Sequence, residues 1–318
     1  MFGVARRLRE AGVLGINHRN AVYLLPYNAR RYYPLVDDKV LTKELAVKAG
    51  AAVPDLYGLI EIQAQVASVP AMVAAHEDFV VKPAKGSQGE GIVVVTGRTA
   101  GMYRLASGAL MTEHEMKFHI SNILSGIYSL GGQIDKAIIE YRVKFDPVFE
   151  RIAFRGVPDI RIVVFLGVPV MAMVRLPTRM SDGKANLHRG AIGAGVDIPT
   201  GRTLTAVWKN SVVSDHPDTF NPVSGVVIPN WDRLLDIATR SYEMTHLGYQ
   251  GIDLVLDAER GPLILELNAR PGLNIQIANR EGLGPRLEAV ERHRASLRTV
   301  ADRIAFAREN FGSKLLAG

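Results

Sequence analysis

The stretch GPLILELNARPG, residues 261–272, follows the stretch GIDLVLD, residues 251–257, after a short polar turn. Both stretches are rich in Ile, Leu and Val, which favours two strands joined in a β-hairpin. If Asp257 faces Pro262 across the turn, the residue numbers of opposed pairs add to a constant. That constant fixes which polar residues of the two strands face each other.

Three oxygen-bearing side chains then fall on one face of the hairpin. Asp253 lies opposite Glu266, and Asn268 lies two residues further on, where a strand returns to the same face. Carboxylates set among apolar residues are costly to bury unpaired, and Mg²⁺ prefers oxygen ligands. The sequence predicts a magnesium site at Asp253, Glu266 and Asn268; the alternative is the ordinary polar face of a surface hairpin.

Composition limits the classes of function. The chain has 318 residues, 47% of them hydrophobic, which is typical of a globular protein with two or three lobes. A net charge of +6 favours anionic partners such as phosphate ligands or acidic peptides. We find no nucleic-acid motif and expect no nucleic-acid partner.

The absence of cysteine excludes thiolate nucleophiles, disulfides and Cys-based zinc sites. With no apolar run long enough for a membrane span and no signal-peptide core, we expect a cytoplasmic protein.

The first 36 residues are dense in Asn, Arg and Tyr. Arg19, Arg30 and Arg31 either line an anion site or belong to a solvated basic loop, and the sequence does not decide between these alternatives.

A helix is predicted from Asp37 or Asp38, as its N-cap, to about Ala49. Lys39 lies in the first turn, where a cation opposes the helix dipole. This favours a functional role for Lys39.

A glycine-rich loop joins two predicted strands in DFVVKPAKGSQGEGIVVV, residues 78–95. Phosphate loops of the P-loop and dinucleotide type run from a strand into a helix, whereas this loop returns into a strand. Such a loop can close over a polyphosphate as a flap, because Gly86, Gly89 and Gly91 present no Cβ atoms. Lys82 precedes it and would supply a point charge. The alternative is a simple hairpin with a solvated lysine.

Further along, KAIIEYRV at residues 136–143 predicts a buried strand that could act as a hinge for a flat base. DIRIVVF begins another strand, in which Asp159 and Arg161 share a face, and Arg161 is a candidate fork for phosphate or carboxylate. Residues 181–195 form a glycine-rich segment that is either an anion cradle or a turn-rich surface loop. Its donors are Lys184, Asn186, His188 and Arg189.

The helical segments carry no predicted chemistry. Thr112 and Glu115 predict a capping box, and Asn230 is predicted to cap a helix over residues 231–247. Residues 199–225 are predicted to be irregular. The tail, about residues 285–311, is predicted to be one charged helix used for packing or for self-association into a homo-oligomer.

Taken in order, these motifs resemble the ATP-grasp superfamily. DIRIVVF, ANLHRGA, GIDLVLD and ELNARPGL are similar, more closely, to the α-L-glutamate ligase-like family, over about residues 37–279. The resemblance implies an α+β ATP-grasp fold of two lobes with a nucleotide cleft between antiparallel sheets. It implies lobes at residues 39–143 and 144–284, a short segment at 1–38 and a C-terminal helix at 285–318. The front departs from the family, whose members usually have a complete small α/β domain where this chain has about 38 residues.

The resemblance also implies roles for individual residues. It places Mg²⁺, as two ions with Mn²⁺ as a substitute, on Asp253, Glu266 and Asn268, and it places catalytic roles near the γ-phosphate and acyl substrate on Arg161, Asn186, His188 and Arg189. The residues that it matches to ATP binding are Lys39, Lys82, Lys85, Gly86, Ser87, Gly89, Gly91, Glu140, Tyr141 and Val143.

The implied activity is an ATP-dependent carboxylate-amine ligase that forms an amide through an acyl phosphate. Its partners are ATP, a carboxylate acceptor such as a peptide or protein C-terminus, and an amino-acid amine such as glutamate. Two alternatives stay open: a small-molecule kinase on the same scaffold, and a non-catalytic nucleotide-binding subunit.

Overall fold

The computed structural model describes residues 2–86, 89–209, 211–313 and 315. The chain divides into two compact units, each described separately below. The larger unit comprises Met1–Asp37, Glu44–Ala52 and Lys144–Gly318, and the smaller unit comprises Asp38–Lys43 and Val53–Val143.

The α-helices are α1 (Phe2–Glu10), α2 (Ile16–His18), α3 (Leu25–Tyr27), α4 (Pro34–Asp37), α5 (Lys39–Lys48), α6 (Val69–Met72), α7 (Glu113–Leu124), α8 (Trp231–Thr245), α9 (Ile275–Asn279), α10 (Gly284–His293) and α11 (Val300–Asn310). A π-helix spans Arg19–Leu24, and 3₁₀ turns span Arg30–Tyr32, Gln63–Ser68, Leu130–Gly132, Pro147–Phe149 and Leu187–Arg189. Within the described residues, no helix is long and apolar enough to cross a lipid bilayer.

The smaller unit is built on an antiparallel sheet that has six strands in its described residues, in the order β1-β6-β2-β3-β4-β5. Its strands are β1 (Leu56–Ile60), β2 (Phe79–Pro83), β3 (Val93–Thr99), β4 (Met102–Leu105), β5 (Leu110–Met111) and β6 (Ala137–Glu140). Helix α7 packs on this sheet through Met116, Ile120 and Ile123, which are fully buried with Phe79 and Val81. Burial of this apolar face holds the helix to the sheet.

The larger unit is built on a second antiparallel sheet, with seven strands among the described residues in the order β11-β10-β9-β8-β7-β12-β13. Its strands are β7 (Asp159–Phe165), β8 (Val168–Leu176), β9 (Ile192–Val196), β10 (Thr203–Trp208), β11 (Ser211–Val213), β12 (Tyr249–Asp257) and β13 (Gly261–Asn268). Strands β7, β8 and β12 are almost wholly buried, which explains their near-continuous apolar sequences.

Two predicted helix starts are confirmed. Asp38 Oδ1 accepts the backbone N–H of Val40 at 2.8 Å, as an N-cap of α5 should. At α7, Thr112 and Glu115 form the reciprocal capping box, with Thr112 N–H donating to Glu115 Oε2 at 2.7 Å.

Three local predictions are wrong. Asn230 precedes α8, but its φ of 55° turns the backbone away from cap geometry and its side chain makes no cap hydrogen bond. Residues 199–225 are not irregular throughout, because β10 and β11 extend the sheet there. The C-terminal helix is broken after His293, and α11 starts afresh at a capping box made by Thr299 and Asp302.

Candidate active site

The hairpin of β12 and β13 places the predicted polar pair face to face. Asp253 is the strand partner of Glu266, and Gly251 is the partner of Asn268, as the sequence predicts. The turn itself differs, because Asp257 pairs with Gly261 rather than with Pro262. A β-bulge between Asp253 and Leu254 takes up the extra residue and restores the predicted pairing.

Two arginines hold the carboxylate of Asp253. Arg161 is its strand partner on β7 and donates from Nε to Oδ1 at 2.7 Å and from Nη2 to Oδ2 at 2.6 Å. Arg175 on β8 donates to Oδ2 at 2.7 Å. The Asp253 side chain is only 4% exposed. Burial opposes its ionisation, but the two guanidinium groups outweigh burial and lower the pKa of Asp253 to about 2.

Asp159 completes this network. It is the strand partner of Arg175, which donates to both of its carboxylate oxygens at 2.5 Å. Burial is the largest influence on Asp159, and it combines with the nearby charge of Asp253 to raise the pKa to about 6 despite Arg175. Of the two carboxylates, Asp159 therefore takes up a proton first.

The remaining groups on this face fit a divalent cation. Glu266 is half-buried and has no hydrogen-bond or ion-pair partner in the described part of the chain. Asn268 donates from Nδ2 to Asp253 Oδ2 at 3.3 Å, which leaves its Oδ1 to accept or to ligate. Among the described residues, Asp253 Oδ1 accepts only from Arg161 and keeps an acceptor position. The donor set is two carboxylates and one amide oxygen; among the described residues, no group of three or more His, Cys, Asp or Glu is arranged to hold a metal.

The predicted anion segment lies over the same face of the sheet. A Cβ added at Gly193 would lie 3.0 Å from the Leu187 side chain, and Gly193 is the strand partner of Arg175. The 3₁₀ turn Leu187–Arg189 therefore lies beside Arg175. Asn186 caps this turn by accepting the backbone N–H of His188 at 2.9 Å.

In the smaller unit, Lys82, which was predicted, and Lys43, which was not, flank the buried carboxylate of the predicted residue Glu140. Lys82 Nζ lies 2.5 Å from Glu140 Oε1, and Lys43 Nζ lies 2.7 Å from Oε2. Burial lowers the pKa of Lys43, with Glu140 opposing this shift. Burial also disfavours the Glu140 anion, but Lys82 and Lys43 outweigh it and lower the pKa of Glu140. Lys39 lies elsewhere, with Nζ donating to Gly86 O at 2.7 Å.

The glycine-rich loop is anchored at its base. Lys85 N–H donates to both carboxylate oxygens of Asp135 at 3.0 Å, and Ser129 Oγ donates to Asp135 Oδ2 at 2.7 Å. Gly86 forms a β-bridge with Ser129. Ser87, predicted to bind nucleotide, lies outside the described residues.

The loop glycines are required by the protein itself as well as by the predicted ligand. Gly89 and Gly91 have φ of 74° and 69°. A Cβ at Gly91 would lie 2.6 Å from the ring of Tyr128, and one at Gly86 would lie 2.2 Å from Pro83 Cγ.

The predicted adenine hinge follows β6. The carboxylate of Glu140 faces the two lysines, and Tyr141 N–H donates to Asp55 O at 2.9 Å. The protein itself thus occupies Tyr141 N–H, and the adenine role of this segment stays a prediction.

Sequence reasoning missed Arg175, Lys43 and Asp135. Arg175 is the one charge in the apolar strand VPVMAMVRL, so its position signalled a buried partner. Lys43 follows Lys39 by one helical turn, which signals a shared face. No local signal in the sequence distinguishes Asp135 from a loop aspartate.

Comparison with known proteins gives a family and a fold. A family model described as "Sugar-transfer associated ATP-grasp" matches residues 18–292. No curated protein matches the chain. The ATP-grasp ligase PsnB with its minimal precursor is 16% identical, covers 84% of this chain and 63% of its own, and has a TM-score of 0.47. D-cycloserine synthetase DcsG is 15% identical over 82% and 71%, with a TM-score of 0.45. The D-alanine-D-alanine ligase from Coxiella burnetii is 16% identical over 87% and 59%, with a TM-score of 0.47.

The chain thus spans less than two thirds of the length of PsnB and of the Coxiella ligase. The predicted superfamily and the α+β fold are confirmed, whereas the α-L-glutamate ligase-like branch is not. Because the family match covers most of the chain, the protein belongs to the sugar-transfer associated ATP-grasp family.

Proposed function

We propose that the protein is an ATP- and Mg²⁺-dependent ligase that joins a carboxylate to an amine. The observation that carries the proposal is the arrangement on one face of the larger unit's sheet. There, Glu266, Asn268 and Asp253 Oδ1 offer oxygen ligands beside the guanidinium groups of Arg161 and Arg175. Cations and oxygen ligands side by side suit a group that carries both phosphate and metal.

In this proposal the bound Mg²⁺ would screen the phosphate oxygens and act as a Lewis acid. Glu266, Asn268 and Asp253 would hold it. Lys39, Lys82 and the glycine loop at residues 85–91 would bind the nucleotide phosphates, with Glu140 keeping the ammonium of Lys82 in place.

The reaction has two steps. The acceptor carboxylate attacks the γ-phosphorus of ATP, so that an O–P bond forms to give an acyl phosphate while the bond to the β-phosphate oxygen breaks and releases ADP. The amine then attacks the carbonyl carbon, loses a proton and expels inorganic phosphate. Arg161, Arg175 and Arg189 would stabilise the negative charge that develops in each step. Asn186 and His188 are proposed to contact the acyl substrate.

The acceptor is proposed to be the carboxylate of a peptide or protein, and the amine that of an amino acid such as glutamate, in line with the α-L-glutamate ligase-like motifs. The ion count of two, the exchange of Mg²⁺ for Mn²⁺, a cytoplasmic location and self-association through the C-terminal helices belong to the same proposal.

The test is an assay of ADP and phosphate release across acidic peptides and amino acids, with mass spectrometry of the products. We expect ADP, phosphate and amide to form in equal amounts and only when both substrates are present. A phosphorylated product without amine would instead identify a kinase, and nucleotide binding without turnover would identify a non-catalytic subunit.

Glu266→Gln is the sharpest variant, because it removes the charge of a proposed metal ligand that makes no side-chain hydrogen bond or close ion pair among the described residues. We expect a loss of at least ~100-fold in kcat with an unchanged melting temperature. Glu259→Gln, on the turn of the same hairpin, is the matched control. Full activity of Glu266→Gln would refute the metal assignment.

A further inference from the structure

Arg19 is a buried arginine at the start of the π-helix Arg19–Leu24. Only 7% of the surface of Arg19 is exposed, whereas Arg30 and Arg31 are exposed residues. The solvated-loop alternative therefore describes Arg30 and Arg31 but not Arg19. Burial of a charged guanidinium is costly unless the charge is paired, so the partners of Arg19 must be identified.

Within the described residues, Arg19 has no carboxylate partner. Nη1 donates to the carbonyl oxygen of Pro271 at 2.8 Å, and Nε and Nη2 donate to Asn20 Oδ1 at 3.1 and 2.9 Å. A guanidinium has five N–H groups, so two are left without an acceptor in this part of the chain. The fold thus buries a positive charge that the described protein does not neutralise.

The position of Arg19 links it to the candidate active site. Tyr249, Gly251 and Asp253 alternate along β12 and so share one face of the sheet. Pro271, the acceptor of Arg19, lies over this face at Gly251, where an added Cβ would be 2.7 Å from its side chain. Gly251 is one step along the strand from Asp253, about 7 Å away. Arg19 therefore contacts a residue that covers the strand two residues from Asp253.

The same face carries a second polar group that the protein leaves unsatisfied. The hydroxyl of Tyr249 is buried and has no hydrogen-bond partner among the described residues. Burial raises the pKa of Tyr249, and the charge of Arg19 opposes this rise. A buried donor without a partner calls for an explanation, and a ligand that supplies the missing acceptor is one such explanation.

The segment that carries Arg19 is held in place. Asn28 accepts the N–H of Tyr249 at 2.8 Å and donates to its carbonyl at 2.7 Å. Tyr23 and Tyr27 pack edge-on against Phe165, with ring centroids 5.4 and 5.0 Å apart. Phe165 is the strand partner of Tyr249, so both rings cover the face that bears the site. The guanidinium is thus preorganised for a ligand on this face.

We propose that Arg19 binds the carboxylate of the amino acid whose amine is joined in the reaction. This assignment rests on the proposed ligase function. The guanidinium fork matches a carboxylate in two hydrogen bonds, and the amine of the same molecule then points along the sheet toward Asp253 and Glu266. The amine substrate accordingly carries a carboxylate, as a free α-amino acid does and as a polyamine or a simple amino sugar such as glucosamine does not.

Binding tests this without relying on turnover. Melting temperature is measured with Mg²⁺ and ADP present, while each of the twenty free amino acids or its α-amide, such as glycine or glycinamide, is titrated. We expect at least one acid to stabilise the wild type and its amide to bind about ten- to hundred-fold more weakly. Arg19→Gln should bind that acid as weakly as the amide. Arg30→Gln, an exposed arginine of the same segment, should keep the full preference.

The melting temperatures of the unliganded proteins distinguish a binding role of Arg19 from a structural role. Since Arg19 is an uncompensated buried charge, we expect Arg19→Gln without amino acid to melt at or above the wild-type temperature. If that variant fails to fold, Arg19→Lys takes its place and should retain a reduced preference for the acid. Equal binding of acid and amide by the wild type, no stabilisation by any amino acid, or an unchanged preference in Arg19→Gln would each overturn the inference.

Failure of the ligase proposal would look different. If the wild-type protein discriminates acid from amide but never releases ADP, the carboxylate site at Arg19 is supported and the ligase function is refuted. If it turns over an amine that has no carboxylate, the ligase function is supported and the carboxylate site is refuted.

Discussion

Replacing Arg175 by Met should destabilise the protein severely, because it strands Asp159. The two side chains are 12% and 10% exposed and are joined by two hydrogen bonds of 2.5 Å. Asp159 has no other hydrogen-bond partner in the described part of the chain. Removing one partner of a buried ion pair costs about 3–5 kcal/mol, since the other charge remains buried alone. For a folding unit of this size we expect the melting temperature to fall by roughly 6–20 °C.

Urea unfolding followed by circular dichroism measures the change. Because an unpaired Asp159 can escape its burial cost by binding a proton, the loss should be smaller at pH 5 than at pH 7.5. The matched control is Arg240→Met. Arg240 and Asp236 are 54% and 40% exposed, so that pair should contribute no more than about 1 kcal/mol.

The double variant Asp159→Leu, Arg175→Met decides the matter. With both charges removed, no unpaired charge is left buried at this position, and Asp253 keeps its two hydrogen bonds from Arg161. We expect the double variant to recover at least half of the stability lost by Arg175→Met while remaining inactive, because Arg175 belongs to the proposed site. Additive losses in the two single variants would refute the reasoning that stranding, rather than lost packing, sets the cost.

Two further predictions concern the buried carboxylates of Asp159 and Glu140. Between pH 7 and pH 4 the folded protein should take up a proton at Asp159, whose pKa is about 6 against 3.8 in an unfolded chain, so this group adds up to about 3 kcal/mol of stability on acidification. Asp159→Asn should abolish that contribution, and urea curves at both pH values measure it. Lys43→Met should cost about 1–3 kcal/mol by leaving Glu140 Oε2 unpaired, and it should weaken ATP binding several-fold because Glu140 then holds Lys82 alone. Calorimetry with ATP checks this, and Lys48→Met, exposed on the same helix, should change neither quantity.

The hairpin at the site shows both the reach and the limit of sequence reasoning. Alternation of apolar residues locates β12 and β13, and the opposition of Asp253 and Glu266 is confirmed. The pairing at the turn is nevertheless off by one residue, and the bulge beside Leu254 corrects it. Bulges depend on the twist and packing of the whole sheet, so short-range patterns do not reveal them.

In the neighbouring hairpin of β7 and β8, a similar register shift determines which residue pairs with Asp159. Phe165 pairs with Val168 at the turn of β7 and β8, and counting back from this pair would set Asp159 opposite Val174. A register shift beside Val164 sets it opposite Arg175 instead. Because a one-residue slip reverses the face of every side chain, the Asp159–Arg175 pair is visible only in three dimensions.

Long-range contacts account for most of what the sequence does not reveal. Glu140 on β6 meets Lys82 on the adjacent strand β2 and Lys43 on helix α5, nearly a hundred residues away, and no local pattern encodes either contact. The hydrogen-bond acceptor of Arg19 is likewise distant in sequence, because it is the carbonyl of Pro271 in the ELNARPG stretch. The family resemblance supplied the residue types of the site, whereas their partners required coordinates.

The charge balance of the site follows from these partners. Asp159 and Asp253 are matched by Arg175 and Arg161, so the four groups together carry little net charge while all are ionised. Glu266 adds a third carboxylate with no third arginine within ion-pair distance among the described residues, and its charge also acts on Arg175. A single unbalanced carboxylate holds a hydrated Mg²⁺ weakly, because Mg²⁺ gives up its water reluctantly. A phosphate chain supplies the missing negative charge, and it also gives Arg161 and Arg175 a second anion. For the proposed Mg²⁺, this charge balance favours entry together with the nucleotide over permanent binding.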